Sequence, residues 1–388
     1  MEMKKKIMVR NIATILLFAN FVFFVKTASS NQRQYSIKGS IGGLLEGERV
    51  YLTLICGGGD SLVQSKKFDS TVVHGGDFLF TGSIPEGPRM FWMGFGKHTQ
   101  FVVLVLSNEN LTIKAADINM LPAGTNIREY VMIEGSETDR NWQDLIGLTK
   151  IYILFTNSLQ RYMIGINDPA ISDPKVLTGV MDTKRLFEAQ MQQILMSMPN
   201  KKAMPVFLWN LFLYMNRELL VKSIYDSLSD SLKDSYHGKK IGMLSKLCVG
   251  EYIPDINAYG LDGKLVSLSN IIPKGKATYV HFWSSDCLPC IDKSRELIEQ
   301  YNMYHNSGFN VFGVSVDTSK DNWLSALDKA RFPGFQVFSK AASINNATQL
   351  YQVRALPASV LVDSEGKIIC WNADGGELQW YLDRVFKR

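Results

Sequence analysis

The chain has 388 residues, of which 46% are hydrophobic and 20% are charged, a composition typical of a globular protein with more than one domain. Its formal net charge is +5, and residues 1–28 supply four of these charges, with five lysine and arginine residues against Glu2. The remaining chain is nearly neutral, which excludes the extended basic surface that binds nucleic acid.

Residues 1–29 have the layout of a secretory signal peptide. A basic start precedes an apolar run from Ile12 to Val25, and the small residues Ala28, Ser29 and Ser30 follow it. The apolar run is shorter than the roughly 20 residues that span a bilayer, and an uncleaved anchor is the alternative. Since no cysteine lies nearby, lipid attachment is not expected. The sequence predicts a protein of the periplasm or cell envelope that meets the membrane only through this segment.

Residues 30–135 are predicted to form an antiparallel β sandwich or open barrel. Apolar and polar residues alternate in segments such as Tyr35–Gly39 and Val50–Leu54, and glycine-rich turns such as Gly75–Asp77 separate such segments. The stretch from Phe68 to Phe80 resembles a β domain of unknown function that precedes thioredoxin modules in Bacteroidota envelope proteins. The fold alone indicates a binding or spacing role.

Residues 136–247 are predicted to form a helical connector. Ser136–Asp139 is a sequence that caps helices, and Leu186, Met191 and Leu195 recur near the helical period. A cluster of proline and aspartate at Asn167–Pro174 marks the expected loop.

Residues 248–388 contain the clearest chemical signal, two cysteines separated by two residues. The apolar run Ala277–Trp283 predicts a strand that leads to Cys287 and Cys290, and helical periodicity follows. The free N–H groups and dipole at a helix start stabilise a thiolate, lowering its pKa from about 8.5 into the range of about 3.5–7.5. Cys287, at the helix start, is the predicted attacking thiolate, and Cys290 the resolving thiol.

Other roles for this cysteine pair fit less well. A zinc site needs further ligands, and the five histidines show no metal-ligand spacing; attachment of haem needs a histidine where Ile291 stands. Of the three remaining cysteines, Cys248 and Cys370 are expected in the core and Cys56 at a loop edge. We therefore expect no metal and no cofactor.

Strand-like and helix-like segments alternate through this C-terminal region, which predicts an α/β domain with helices on both faces of a central sheet. The predicted strands are 278–283, 310–316, 335–338, 358–362 and 367–371, and the predicted helices are 288–306, 321–330, 342–351 and 377–386.

The region from Val249 to Arg388 resembles the envelope-bound TlpA/ResA group of thioredoxin-fold proteins, and the resemblance implies a C-terminal α/β thioredoxin fold. The motifs that carry this resemblance are Val249–Asp255, Leu261–Lys264 with Val266–Ser269, Trp283–Cys290, and Leu356-Pro357 before a strand. The helix 321–330 and strand 335–338 resemble the unit that TlpA-type domains insert into the basic fold.

The resemblance implies roles for three further residues. Pro357 is expected in a cis peptide bond facing the cysteines, with the backbone of Leu356 available to pair with an extended substrate. Trp283 is expected beneath the active-site loop, where it contributes to substrate binding.

The sequence also departs from the family pattern. The usual tryptophan before the first cysteine is Asp286, whose charge opposes thiolate formation and favours a reducing pair. Leu288 replaces the usual glycine between the cysteines. His281 and Lys293 occupy the positions where thioredoxins and many TlpA/ResA proteins carry an acidic proton acceptor, and Lys293 offsets the charge of Asp286. His281 is the candidate proton relay to Cys290, with a satisfied core histidine as the alternative.

The predicted function is a periplasmic thiol–disulfide oxidoreductase that reduces disulfides of envelope proteins. Because the chain has no flavin or nicotinamide motif, an upstream membrane thiol donor has to restore the dithiol. One alternative is a thiol peroxidase, but peroxiredoxins carry proline and threonine where Val280 and Ser284 stand. Another is a redox-inactive envelope binding protein, because the two N-terminal regions make up more than half of the mature chain.

Overall fold

A computed structural model of the chain describes residues 34–55, 65–164, 174–214, 221–339, 347–353 and 355–386. The predicted signal peptide, Cys56 and most of the predicted loop 167–174 lie outside these residues. Within the described ranges, no helix combines the length and apolar character needed to cross a membrane. The chain divides into two compact units, one made by residues up to Thr53, 67–87 and 91–137, and the other by residues 54–66, 88–90 and 138–388.

The N-terminal β-rich region forms two four-stranded sheets, with strand orders β4-β1-β7-β8 and β3-β2-β5-β6. Its strands are β1 (Tyr35–Ile41), β2 (Arg49–Ile55), β3 (Ser65–Val72), β4 (Asp77–Gly82), β5 (Arg89–Phe95), β6 (Phe101–Leu106), β7 (Asn110–Ala115) and β8 (Val131–Glu134). The alternation in β1 buries Tyr35 and Ile37 on one face and leaves Lys38 exposed on the other. The predicted β-rich domain is confirmed.

One strand pair departs from the predicted antiparallel arrangement. β1 pairs antiparallel with β4 but parallel with β7, with Ile37 opposite Leu111. Parallel neighbours need a long crossover, and the five strands between β1 and β7 supply it.

The region between the sheets and the C-terminal domain is helical. Its helices are α1 (Glu137–Ile164), α2 (Pro174–Met196), α3 (Met204–Tyr214), α4 (Val221–Ser227), α5 (Asp230–Lys233) and α6 (Tyr236–Leu244). These helices belong to the same compact unit as the C-terminal domain. The four-part division of the chain stays a prediction.

The C-terminal domain has a seven-stranded sheet in the order β10-β9-β13-β12-β11-β14-β15. Its strands are β9 (Asn257–Gly260), β10 (Leu265–Ser267), β11 (Ala277–Trp283), β12 (Phe309–Ser315), β13 (Phe335–Phe338), β14 (Ala358–Asp363) and β15 (Ile368–Trp371), and its helices are α7 (Leu288–Asp292), α8 (Ser294–Tyr304), α9 (Lys320–Ala330), α10 (Ala347–Leu350) and α11 (Gly375–Phe386). The mixed α/β thioredoxin-like fold is confirmed.

β11 is an interior strand of this sheet, parallel to β12 and antiparallel to β14. All seven of its residues are buried, because both of its faces are covered. Val280 and Phe282 face one core cluster, and Ala277, Tyr279 and Trp283 face the other. The second cluster, here called the active-site core, also contains Cys290.

The helix after the cysteines differs in detail from the prediction. A single helix was expected from Leu288 to Asn306, but the structure divides it into α7 and α8 at Lys293. The backbone N–H of Lys293 donates to the carbonyl of Pro289 at 3.2 Å, and α8 continues from Ser294.

Candidate active site

Cys287 and Cys290 lie at the carboxyl end of β11 and form a disulfide with a Cα–Cα distance of 5.3 Å. Cys287 is the N-cap of α7 and half-buried, whereas Cys290 is fully buried. The backbone N–H of Cys290 donates to Sγ of Cys287 at 3.2 Å. After reduction, this N–H and the positive end of the helix stabilise a thiolate on Cys287. The exposure difference matches the predicted roles of attacking and resolving thiol, and the roles themselves stay predictions.

The loop that precedes Cys287 is held by a buried carboxylate. Asp317 follows β12 and is 6% exposed. Its Oδ1 accepts hydrogen bonds from the backbone N–H of Ser285 at 3.0 Å and from Oγ of Ser285 at 2.6 Å, while its Oδ2 accepts one from Oγ of Ser315 at 2.7 Å. This carboxylate therefore fastens the active-site loop to the end of the neighbouring strand.

Asp286 is exposed and accepts a hydrogen bond from the hydroxyl of Ser284. Ser284 is buried, and this bond turns its hydroxyl toward Asp286. Leu288, between the two cysteines, is 72% exposed. An acidic group and an apolar side chain thus flank the half-buried sulfur of Cys287 on the surface.

The segment before β14 contains the cis peptide bond that the resemblance implied, between Leu356 and Pro357. Leu356 is half-buried and packs against the active-site core, as Cys287 does. The structure thus places Leu356 and Cys287 against one cluster, although they are distant in sequence.

Trp283 is fully buried and packs against Phe332, with 4.6 Å between the ring centroids. It was expected beneath the loop and also as a substrate-binding residue. Full burial keeps its indole away from the surface where a substrate would bind, so its contribution is packing support of the loop.

His281 lies on the same face of β11 as Tyr279 and Trp283, and stacks on the Tyr279 ring at 6.2 Å between centroids. It is 4% exposed, and neither ring nitrogen has a hydrogen-bond partner among the described residues. Burial, with a smaller contribution from the nearby charge of Lys293, lowers the pKa of His281 to about 4. Both the relay role and the alternative of a satisfied core histidine stay predictions.

Lys293 forms an ion pair with Asp374, a residue located just before α11. Both side chains are close to half exposed. The ammonium that was expected to offset the charge of Asp286 is thus already bound by another carboxylate.

Two residues of this site were not foreseen, Asp317 and Asp374. A signal existed for Asp317, because it follows a predicted strand, and the carboxyl ends of adjacent parallel strands lie at one edge of a sheet. Asp374 carried no such signal, because 81 residues separate it from Lys293.

Two family models match separate parts of the chain. Residues 249–370 match the AhpC/TSA family, and residues 35–142 match a domain of unknown function, DUF4369. The C-terminal segment forms an AhpC/TSA family domain. The recognition of a thioredoxin-fold domain behind a β domain of unknown function is thereby confirmed.

The AhpC/TSA domain is similar to curated proteins and to solved structures. Thiol-disulfide oxidoreductase ResA of Bacillus cereus is 27% identical over 149 residues, which are 36% of this chain and 80% of that protein. The crystal structure of the thioredoxin domain of a thiol-disulfide oxidoreductase from Bacteroides vulgatus is 29% identical, covers 36% of this chain and 97% of that one, and gives a TM-score of 0.34. The solution structure of a thiol:disulfide interchange protein from Bacteroides sp. is 28% identical. The match covers 36% of this chain and 91% of that chain, with a TM-score of 0.34.

The family match and the curated relative confirm the predicted enzyme class, a thiol–disulfide oxidoreductase of thioredoxin fold.

Proposed function

We propose that this protein reduces disulfides of other proteins in the periplasm or cell envelope. The observation that carries the proposal is the asymmetric pair at the start of α7, in which half-buried Cys287 receives an N–H hydrogen bond and fully buried Cys290 lies behind it. Only the first sulfur is accessible to a bulky substrate, so the two thiols have separate roles.

The reaction proceeds in two exchange steps. The thiolate of Cys287 attacks one sulfur of the substrate disulfide, forming a mixed disulfide and releasing the other sulfur as a thiolate. Cys290 then loses its proton and attacks Sγ of Cys287, which forms the intramolecular disulfide and releases the second substrate thiolate. The substrate gains two electrons, and an upstream membrane thiol donor returns two to the pair.

Substrate recognition relies on the surface around Cys287. The backbone of Leu356, before the cis Pro357, is the expected pairing segment for an extended stretch of substrate. The envelope location rests on the leader at residues 1–29, which fits a signal peptide. His281 is the proposed group that accepts the proton of Cys290.

The arrangement gives less support to the alternative of a thiol peroxidase. The hydroxyl of Ser284, at the position of the peroxiredoxin threonine, donates to Asp286. It is therefore engaged and does not point at a peroxide bound to Cys287. The presence of both cysteines in one disulfide likewise argues against a redox-inactive binding protein.

The test is the reduction potential of the pair in protein purified after expression with its own leader. A potential near that of thioredoxin, about −270 mV, supports a reductase that depends on a donor, whereas a value near −120 mV indicates an oxidant and refutes the proposed direction.

A second test uses variants of the two cysteines. We expect Cys287→Ser to abolish exchange and Cys290→Ser to trap the mixed disulfide. If both variants keep full biological output, the protein acts by binding; hydrogen peroxide consumption that needs Cys287 would favour the peroxidase.

A further inference from the structure

In the described part of the chain, two buried polar side chains that line one cavity near the cysteines have atoms without a hydrogen-bond partner. They are His281, with both ring nitrogens, and Gln300 of α8, with Oε1. The two residues are 4% and 7% exposed. Buried polar groups in native proteins are nearly always satisfied, by protein atoms or by ordered water. This pair of side chains therefore indicates an internal water site.

A cavity of about 90 Å³ lies beside these two side chains. Its inner wall includes His281, Gln300 and Ser359, and Pro357 lines it as well. A water molecule needs a site of roughly 10–15 Å³ with two to four polar partners, so this cavity has room for several.

The mouth of the cavity is formed by charged side chains. Lys293 and Asp374, which also line the cavity, are about half exposed and bound to each other. Glu296, one turn after Lys293, is exposed and lines the cavity too. The cavity therefore runs from a buried histidine to an ion pair in contact with solvent.

The cavity lies on the side of the sheet that carries the resolving cysteine. His281 stands between Tyr279 and Trp283 on β11, and both of these neighbours belong to the active-site core with Cys290. Lys293 follows Cys290 by one helical turn. A proton that leaves Cys290 on this face thus has a polar route outward, although no acidic group occupies the position of either family proton acceptor.

We propose that water in this cavity carries the proton of Cys290, by way of His281, to the carboxylate of Asp374, which Lys293 holds at the mouth. The inference rests on the proposed function and adds two residues, Asp374 and Lys293, that control proton release. Neither touches the sulfur atoms, so both are positioning residues. In the step concerned, the S–H bond of Cys290 breaks and its electron pair forms the bond to Sγ of Cys287. The bond between Sγ of Cys287 and the substrate sulfur breaks, the substrate leaves as a thiolate, and the proton passes to Asp374 and then to solvent.

The charges around His281 suit a relay. The titratable side chains that line the cavity with His281 are Tyr279 on the same strand, Lys293 and Glu296 after the cysteines, and Asp374 just before α11. Glu377, further along α11, is neutralised by Lys184 of α2 at 2.8 Å. Because burial and Lys293 hold the pKa of His281 at about 4, the ring is neutral at pH 7 and passes a proton on rather than keeping it.

The experiment is a stopped-flow reaction of the reduced full chain with 5,5′-dithiobis(2-nitrobenzoate). Attack by Cys287 releases one coloured thiolate, and attack by Cys290 on the mixed disulfide releases a second, so the two steps appear as separate phases. We expect Asp374→Asn to slow the second phase by about 10- to 100-fold near neutral pH and to leave the first phase unchanged. A small buffer base such as imidazole should restore part of the lost rate.

The matched control is Asp182→Asn. Asp182 forms an ion pair with Arg384 of α11 at 3.6 Å, and neither residue lines the cavity. Overlapping second-phase pH profiles of wild type and Asp374→Asn would overturn the inference, as would an equal loss in the control. If Asp374→Asn does not fold, Lys293→Gln provides the test. The inference requires that this variant shift the midpoint pH of the second-phase rate, and an unchanged midpoint overturns it. A wild-type protein that shows no second phase at all refutes the proposed function itself.

Discussion

Asp317 accepts hydrogen bonds from both the backbone N–H and the hydroxyl of Ser285. Its Oδ1 accepts from the N–H at 3.0 Å and from the hydroxyl at 2.6 Å, and its Oδ2 also accepts from the N–H, at 3.2 Å. The two residues lie 32 residues apart, at the ends of two parallel strands. The bonds secure the loop that carries Cys287, in a buried setting where an unsatisfied group is costly.

Replacement of this carboxylate by an amide tests its importance. We expect Asp317→Asn to lower the free energy of unfolding by about 1–3 kcal/mol, because the charged acceptor is lost and an N–H₂ group faces the donors of Ser285 and Ser315. Urea denaturation measures the loss, and the rate of attack by Cys287 should fall as well. The control is Asp328→Asn, at an exposed position on α9, which should stay within about 0.5 kcal/mol of wild type. Equal stabilities of the two variants would contradict this role.

Met181 of α2 is 2% exposed and lies within the active-site core. We expect Met181→Ala to destabilise the protein by about 2–5 kcal/mol, because the substitution leaves a cavity against the C-terminal domain. Leu186→Ala on the same helix is the control, because Leu186 is 63% exposed. Urea unfolding followed by tryptophan fluorescence gives both values. A small loss for Met181→Ala would mean that α2 is dispensable for the redox domain.

The low pKa of His281 makes stability depend on pH. The unfolded imidazole binds a proton near pH 6.5 and the folded one only near 4, so the unfolded state holds more protons between these values. Stability therefore falls as pH drops from about 6.5 to 4, by about 3 kcal/mol for this group. His237, whose pKa burial lowers to about 3, acts in the same direction. Denaturation of wild type and His281→Gln across this range isolates the His281 contribution, and parallel curves would refute it.

Leu288 should affect substrate proteins more than stability. Its side chain is 72% exposed beside Cys287, so Leu288→Ser is expected to change the free energy of unfolding by less than about 0.5 kcal/mol. Loss of apolar contact with a bound polypeptide should lower kcat/KM for a protein disulfide about fivefold, a change of about 1 kcal/mol. The rate with oxidised glutathione is the comparison and should hardly change. An equal decrease for both substrates would show that Leu288 acts on the sulfur chemistry instead.

The sequence alone predicted the strand, the cysteine pair and the helix start, because these depend on local patterns. Burial of every residue in β11, the depth of Cys290 and the core positions of Cys248 and Cys370 follow the apolar runs of the chain. The prediction of one continuous helix after Cys287 was wrong, since periodicity alone does not reveal a break at Lys293.

Tertiary structure decided which distant residues meet. Asp317 joins Ser285 because β12 and β11 are parallel, and Asp374 meets Lys293 because α11 starts beside the active-site helices. Met181 lies in the predicted helical connector, yet it packs in the core that holds Cys290. Local propensity and periodicity operate over a few residues, whereas these contacts arise only when the sheet is assembled and its faces are covered. The sequence by itself thus determined the redox chemistry of this protein, and the packing of distant elements decided which groups position the loop and surround the buried histidine.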